Sequence, residues 1–141
     1  MRIADVLRNK GDAVVTVEPD MTVAGLLACL AEGNYGAVPV VRDGALMGMV
    51  SERDVVRRLH ADGAAVLERP VSEIMTTVVA TCLPDDGVAH LAQVMTERRV
   101  RHLPVVVDGQ LRGIVSIGDL VKARIDTLEV EREQLASYIA Q

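Results

Sequence analysis

The sequence contains almost no aromatic side chains, and this scarcity argues against one class of binding site. It has no Phe and no Trp, and Tyr35 and Tyr138 are its only two tyrosines. Proteins that hold single-stranded nucleic acids stack the bases on aromatic rings, and two tyrosines are too few for such a surface. Its net charge of −5 also argues against a broad nucleic-acid surface, because phosphate backbones are held by dense Lys and Arg.

Cysteines and long apolar runs are scarce as well. Cys29 and Cys82 stand at unmatched positions, which predicts no disulfide framework. No apolar run approaches the ~20 residues of a membrane-spanning helix, and the first residues lack a signal-peptide core. We therefore predict a cytoplasmic protein without a membrane contact. His60, His90 and His102 share no ligand spacing, so no metal site is predicted.

The sequence does contain an internal repeat. A shift of 65 residues superimposes residues 14–56 on 79–121 without a gap, and 19 of the 43 paired residues are identical. Half of all residues are apolar and a quarter are charged, as in soluble globular proteins. Two copies of one unit predict a single module that carries two related sites.

Each copy has the pattern strand, helix, strand, turn, strand, helix, which predicts an α/β (α+β) fold. Residues 13–17 are rich in β-branched side chains and predict a strand, and Asp20 is the predicted cap of the next helix. Asp43-Gly44 predicts a two-residue hairpin. Residues 5–7 and 73–75 correspond as short turns. The first copy has three extra residues within 8–13, so the two sites need not have the same shape.

The predicted division is a first repeat at 1–62, a connector at 63–72, a second repeat at 73–125 and an amphipathic helix at 126–141. One apolar seam follows helical spacing along the C-terminal stretch: Val121, Ile125, Leu128, Leu135 and Ile139. Such a seam either packs back on its own domain or forms a dimer contact.

Both copies contain Gly-x-x-Ser-x-x-Asp after a strand. Ser51 and Ser116 then lie at helix starts, where free N–H groups favour an anion. One turn later, Asp54 and Asp119 can accept hydrogen bonds from neighbouring hydroxyls such as those of a ribose. The alternative is a capping box, in which both side chains only satisfy backbone donors. No nucleophile–base arrangement is visible, which favours a binding module over an enzyme.

The copies differ around this motif, which predicts two unequal sites. Arg101 and His102 precede the second Pro-Val-Val strand, where Arg offers a forked donor set to a phosphate. The alternative for these basic residues is a solvated surface. Arg53 lies inside the first motif and has no basic counterpart, because Gly118 stands at the matched position.

Each copy contains, in this order, a β-branched strand, Pro, an amphipathic helix, Pro-Val-Val, Asp-Gly and Gly-x-Val-Ser-x-x-Asp. This order resembles the CBS domain, named after cystathionine β-synthase. Two copies resemble the tandem pair of small stand-alone bacterial CBS-domain proteins. The resemblance implies two β-α-β-β-α repeats packed with pseudo-twofold symmetry. It also implies an adenine nucleotide in clefts between the repeats: AMP first, with ADP, ATP, NAD or S-adenosylmethionine as alternatives.

By position, the resemblance places the ribose hydroxyls on Asp54 and Asp119, and a ribose or phosphate contact on Ser51 and Ser116. Backbone of both copies would read the adenine edge. The full candidate set is Thr16, Val38, Pro39, Ser51, Arg53 and Asp54 in the first copy, and Thr81, Arg101, His102, Leu103, Pro104, Ser116 and Asp119 in the second. The expected role is nucleotide sensing in signal transduction by a homodimer with an unidentified protein partner. A structural dimerisation scaffold with degenerate sites is the alternative.

Overall fold

The computed structural model describes residues 1–11, 13–77 and 79–140. Helices and an antiparallel sheet make up this part of the chain, which confirms the predicted mixed fold class in its α+β form. In chain order the elements are α1 Ile3–Lys10, α2 Val23–Gly33, β1 Ala37–Arg42, β2 Ala45–Ser51, α3 Glu52–Asp62, α4 Val88–Arg98, β3 His102–Val107, β4 Gln110–Ser116 and α5 Ile117–Ala140. Two short 3₁₀ helices, Ala64–Glu68 and Val71–Glu73, follow α3.

The chain forms two compact units, which we name after their motif serines. The Ser51 unit comprises Val14–Ala80 and Val106–Leu111. The Ser116 unit comprises Met1–Ala13, Thr81–Val105 and Arg112–Gln141. The first residues of the chain thus belong with the second repeat. The repeat boundaries given above stay a prediction.

Both predicted hairpin turns are confirmed. Asp43 and Gly44 have φ angles of 53° and 79°, and Asp108 and Gly109 have 52° and 79°. Two successive positive φ angles are typical of the type I′ turn, whose twist matches that of the strands it joins. β1 pairs with β2 in antiparallel register, with an irregularity between Val40 and Val41.

The two units are built around matching cores. The buried residues of the Ser51 unit include Val17, Val23, Leu26, Leu30, Val38, Val40, Val50 and Val55, and their partners 65 positions later are Cys82, Val88, Leu91, Met95, Leu103, Val105, Val115 and Leu120. All sixteen are at most 5% exposed. Val71 and Ile74 complete one core, and Ile3 and Val6 of α1 complete the other. The repeat therefore extends to the residues that stabilise each unit by burial.

The predicted strand at residues 13–17 is wrong in extent. Only Val17 pairs: its N–H donates to the Pro39 carbonyl at 3.0 Å, and its carbonyl accepts from the Val41 N–H at 2.9 Å. A parallel ladder continuing toward Val15 would need an N–H on Pro39, and proline has none. Cys82 repeats the single bridge beside Pro104 in the Ser116 unit.

Two further local predictions are wrong. Thr22, not Asp20, caps α2 by accepting the Gly25 N–H at 3.1 Å, because residues 18–21 first form a turn closed by the Met21 N–H on the Glu18 carbonyl. Residues 5–7 are not a short turn, since they lie inside the eight-residue helix α1.

The C-terminal seam does not pack back on its own domain. Leu120 and Ala123 are the buried residues of α5, whereas the seam residues are between 47% and 80% exposed. Among the helices of the described residues, none is long and apolar enough to cross a membrane.

Candidate functional site

The Ser51 motif lies where β2 ends and α3 begins. Ser51 has extended backbone angles and donates its N–H to Asp54 Oδ2 at 2.9 Å. The Asp54 N–H donates to Ser51 Oγ at 3.2 Å, and Ser51 Oγ donates to Asp54 Oδ2 at 3.0 Å. The capping box weighed from the sequence is therefore present.

The Ser116 motif repeats this cap at the start of α5. The Ser116 N–H donates to Asp119 Oδ2 at 2.8 Å, and the Asp119 N–H donates to Ser116 Oγ at 3.0 Å. In both motifs the cap uses the Oδ2 atom. Within residues 1–11, 13–77 and 79–140, no group donates a hydrogen bond to Oδ1 of either aspartate. Helix capping thus leaves one carboxylate oxygen of each aspartate for a ligand hydroxyl.

In each unit one backbone hydrogen bond joins the motif to the segment that precedes the Pro-Val-Val strand. The Glu52 N–H donates to the Gly36 carbonyl at 3.0 Å, which fixes the segment before β1 beside Ser51. The Ile117 N–H donates to the Arg101 carbonyl at 2.9 Å, which brings Arg101 and His102 beside Ser116. Sequence spacing alone did not give these contacts, although the matched positions implied that the two copies would share them.

The side chains of the candidate set differ in what they can reach. Thr16, Thr81, Arg53 and Arg101 are exposed, and Ser51, Asp54, His102, Ser116 and Asp119 are half-buried. Val38, Pro39, Leu103 and Pro104 are buried in the two cores, so only their backbone is available to a ligand.

Lys10 is the main difference between the two motifs, and the sequence did not predict it. Its Nζ donates to Asp119 Oδ2 at 2.7 Å and to the Ile114 carbonyl at 3.0 Å. The carbonyl matched to Ile114 is that of Met49, which accepts the Thr76 backbone N–H at 2.8 Å. An ammonium group in one unit therefore takes the place that a peptide N–H holds in the other.

The extra residues within 8–13 account for this replacement. α1 continues as a helix to Lys10 and ends at Gly11, which has a φ of 96°. The matched segment leaves its 3₁₀ helix at Glu73 and is extended by Thr76, where it pairs with Met49. The insertion was visible in the sequence, but the residue that it brings to Asp119 was not.

The Lys10–Asp119 pair sets the electrostatics of the Ser116 unit. Burial raises the pKa of the Asp119 carboxyl, but the hydrogen bonds from Lys10 and Ser116 outweigh it, so the pKa lies below its ordinary value of 3.8. Burial lowers the pKa of His102, and the charges of Lys10 and Arg101 add to this effect, whereas Asp119 opposes it. His102 is therefore neutral at pH 7.

A cavity of about 180 Å³ opens beside this pair, between α1 and α5. Lys10 and Asp119 lie on its wall together with Lys122 and Asp126.

No group of three or more His, Cys, Asp or Glu residues is placed to hold a metal ion in the described part of the chain. Both cysteines are free thiols.

Comparison with known families accounts for the repeat and its motif. The family profile of the CBS domain matches residues 3–61 and 71–126, which covers both copies. This chain belongs to the CBS-domain family. The CBS domain-containing protein YhcV of Bacillus subtilis is 37% identical over 107 residues, which span 76% of this CBS pair and 76% of that protein.

Solved structures support the same assignment. The CBS-domain containing protein ATU1752 from Agrobacterium tumefaciens is 42% identical, with a TM-score of 0.81 over 88% of this CBS pair and 99% of that chain. CBSX2 in complex with AMP is 26% identical, with a TM-score of 0.75 over 89% and 97%. The CBS domain pair of MJ0100, in complex with 5′-methylthioadenosine and S-adenosyl-L-methionine, is 25% identical, with a TM-score of 0.75 over 87% and 98%.

Proposed function

We propose that this CBS pair is a regulatory module that binds an adenine nucleotide at each Ser-x-x-Asp motif. The proposal rests on one observation: within the described residues, Oδ1 of Asp54 and Oδ1 of Asp119 accept no hydrogen bond. Each motif caps its helix through Oδ2 alone, and the remaining oxygen is the acceptor that a ribose hydroxyl needs. The helix start beside each serine adds a favourable field for a phosphate.

The ligands of the related structures narrow the chemistry. AMP in CBSX2, and 5′-methylthioadenosine and S-adenosyl-L-methionine in the MJ0100 pair, all contain adenine on a ribose ring. We therefore propose AMP as the first ligand for this CBS pair, with ADP, ATP and NAD as alternatives.

The proposed contacts follow the two units. In the Ser51 unit, Asp54 and Ser51 take the ribose and its phosphate side, Arg53 lies at the exposed edge, and the backbone of Thr16 and Val38-Pro39 reads the adenine. In the Ser116 unit, the corresponding residues are Asp119, Ser116, Thr81 and Leu103-Pro104, with Arg101 and His102 toward the phosphate.

The biological role that we propose is signalling of the cell's energy or redox charge to an unidentified protein partner, without turnover of the nucleotide. We further propose a homodimer, because the apolar seam on α5 is exposed and exposed apolar surface is typical of protein contacts. We assign the module to the cytoplasm, where the free thiols of Cys29 and Cys82 would stay reduced.

The test is isothermal titration calorimetry with AMP, ADP, ATP, NAD and, as a control base, GTP. Asp54→Asn and Asp119→Asn keep an oxygen for the helix cap and remove the charged acceptor. Each should weaken binding in its own unit by about 10- to 100-fold, as expected for a lost hydrogen bond to a charged group. His60→Gln and Glu129→Gln, which change exposed side chains of the same helices away from the motifs, should leave affinity unchanged.

The competing function is a dimerisation scaffold, which the complete capping boxes favour. A scaffold predicts no heat with any nucleotide and equal melting temperatures with and without AMP. The nucleotide-binding proposal predicts about 2.7 kcal/mol of added stability at AMP concentrations a hundred times the dissociation constant.

Light scattering with and without AMP tests the dimer, and a monomer under both conditions would refute it. Release of ADP, AMP or phosphate from ATP would refute the absence of turnover.

A further inference from the structure

In the Ser116 unit, the carboxylate assigned to the ribose already has a partner. Lys10 Nζ lies 2.7 Å from Asp119 Oδ2, and the side chains are 36% and 24% exposed respectively. A second bond, to the Ile114 carbonyl at 3.0 Å, fixes the ammonium in this position. A ligand that uses Asp119 must therefore share the carboxylate with Lys10 or displace it.

Sharing needs no displacement, because within the described residues Asp119 Oδ1 accepts no hydrogen bond and Lys10 can stay on Oδ2. A neutral nucleoside then offers its hydroxyl groups to a carboxylate whose charge Lys10 already offsets, and it brings no anion to the ammonium. An ammonium group has three N–H donors, and Lys10 uses two of them. A nucleoside 5′-phosphate can therefore gain a charge-assisted hydrogen bond from the third.

The cavity beside the pair has room for such a group. Its volume of about 180 Å³ is below the roughly 300–1,000 Å³ typical of pockets that enclose a whole drug-sized ligand. It therefore suits one end of a nucleotide. Lys122 supplies a second cation on its wall, and Asp126 supplies a second carboxylate.

In the described part of the Ser51 unit, no cation pairs with the motif aspartate. Within the described residues, Asp54 accepts hydrogen bonds only from Ser51 and forms no ion pair. The carbonyl of Met49, which matches that of Ile114, is bonded to the Thr76 backbone. A ligand hydroxyl that reaches Asp54 shares the carboxylate with no paired cation, so a phosphate gives no comparable advantage there.

We propose that Lys10 is a specificity-determining residue that disfavours uncharged nucleosides at Asp119 and favours nucleoside 5′-phosphates. The Ser116 unit then selects AMP-class ligands over adenosine, 5′-methylthioadenosine and the cationic S-adenosylmethionine, while the Ser51 unit discriminates less. This inference rests on the proposed function.

The experiment compares AMP with adenosine by calorimetry in the Asp54→Asn background, where the Ser116 unit is the intact site. We expect AMP to bind about 10- to 100-fold more tightly than adenosine. Adding Lys10→Met should raise adenosine affinity and lower AMP affinity, so that the ratio falls to about threefold or less. Lys10→Arg should retain the preference, because it keeps the cation.

Lys122→Met is the matched control for charge in the same cavity. It should lower AMP affinity at most, without raising that of adenosine, because Lys122 has no bond to Asp119. Melting temperatures of every variant confirm folding, and Lys10→Gln replaces Lys10→Met if the latter does not fold.

The outcomes separate this inference from the proposed function. AMP binding with an AMP-to-adenosine ratio that Lys10→Met leaves unchanged overturns the role of Lys10 and leaves nucleotide binding standing. Failure of every adenine ligand to bind the unmodified protein overturns both.

Discussion

The Ser51 and Ser116 motifs have the same cap but different neighbours. Each cap joins a serine and an aspartate through the same pair of backbone contacts. At the preceding carbonyl, one unit places a peptide N–H and the other places the ammonium of Lys10. Two motifs that share the same serine and aspartate therefore differ at this carbonyl because of a short insertion more than a hundred residues away from the second motif.

A repeated motif therefore does not guarantee a repeated site. A backbone donor is fixed and neutral, whereas a lysine is charged and can change partners. Substitutions at matched positions of the two units test this contrast.

Gly48 and Gly113 occupy matched positions of the repeat, but the atoms nearest to them differ. A Cβ at Gly48 would lie 2.6 Å from the Thr76 backbone carbonyl, and one at Gly113 would lie 2.8 Å from Leu7 Cδ2. We expect Gly48→Ala to lower the free energy of unfolding by about 2–3 kcal/mol and Gly113→Ala by about 1 kcal/mol, since a leucine side chain can move and a paired backbone cannot. Urea denaturation measures both, and equal losses would contradict this account.

The matched helix ends at Asn34 and Arg99 both have left-handed backbone, with φ of 57° and 55°. Asparagine tolerates this region better than arginine. Arg99→Asn should raise the free energy of unfolding by about 0.5–1 kcal/mol, and the reverse change Asn34→Arg should lower it by a similar amount. Thermal melts of the two variants and of the double swap test this, and a stabilising Asn34→Arg would refute it.

The Lys10–Asp119 pair should make the Ser116 unit sensitive to acid. Because the folded pKa of Asp119 lies below its ordinary value of 3.8, the pair stabilises the fold above that pH and the contribution disappears as pH falls through the folded pKa. Lys10→Met should lower stability by about 0.5 kcal/mol at pH 7, and the difference from wild type should vanish in strong acid. Lys122→Met serves as the control, and a difference independent of pH would exclude the pair as its cause.

Cys82 occupies the core position that Val17 holds in the other unit. Burial, with a smaller contribution from Asp86, raises the pKa of the Cys82 thiol from 9.0 to about 12. A raised folded pKa means that stability is complete below pH 9 and is lost as pH rises toward 12. Cys82→Val should change stability at pH 7 by less than about 0.5 kcal/mol and remove this alkaline loss. Stability curves at pH 7 to 11 that remain parallel would contradict the assignment.

The sequence predicted the features that depend on neighbouring residues. The Asp-Gly hairpins and the Ser-x-x-Asp caps form over four residues or fewer, so the pattern contains all the partners. The resemblance to the CBS domain supplied the family and the mixed helix and antiparallel-sheet fold class, and both are confirmed. The strand at residues 13–17 failed because Pro39, distant in sequence, cannot donate the N–H that the next pair of the ladder requires.

The site was predicted only in part, because some of its contacts join residues that are far apart in the sequence. Each aspartate was found from its motif, but the partner of Asp119 is 109 positions away at Lys10. The signal available was the insertion within residues 8–13, which indicated unequal sites without naming the residue responsible. The difference between a helix that continues to Lys10 and a chain that pairs at Thr76 depends on tertiary packing.

The assignment of α1 to the Ser116 unit bears on the order in which the chain folds during synthesis. Most of the Ser51 unit is contiguous and can collapse once residue 80 has left the ribosome. The Ser116 unit combines Ile3 and Val6 with Leu120, so its earliest residues must wait for nearly the whole chain before their core exists. Such long sequence separation slows folding. A bulky tag or a truncation at the first residues should therefore disturb the second site while sparing the first.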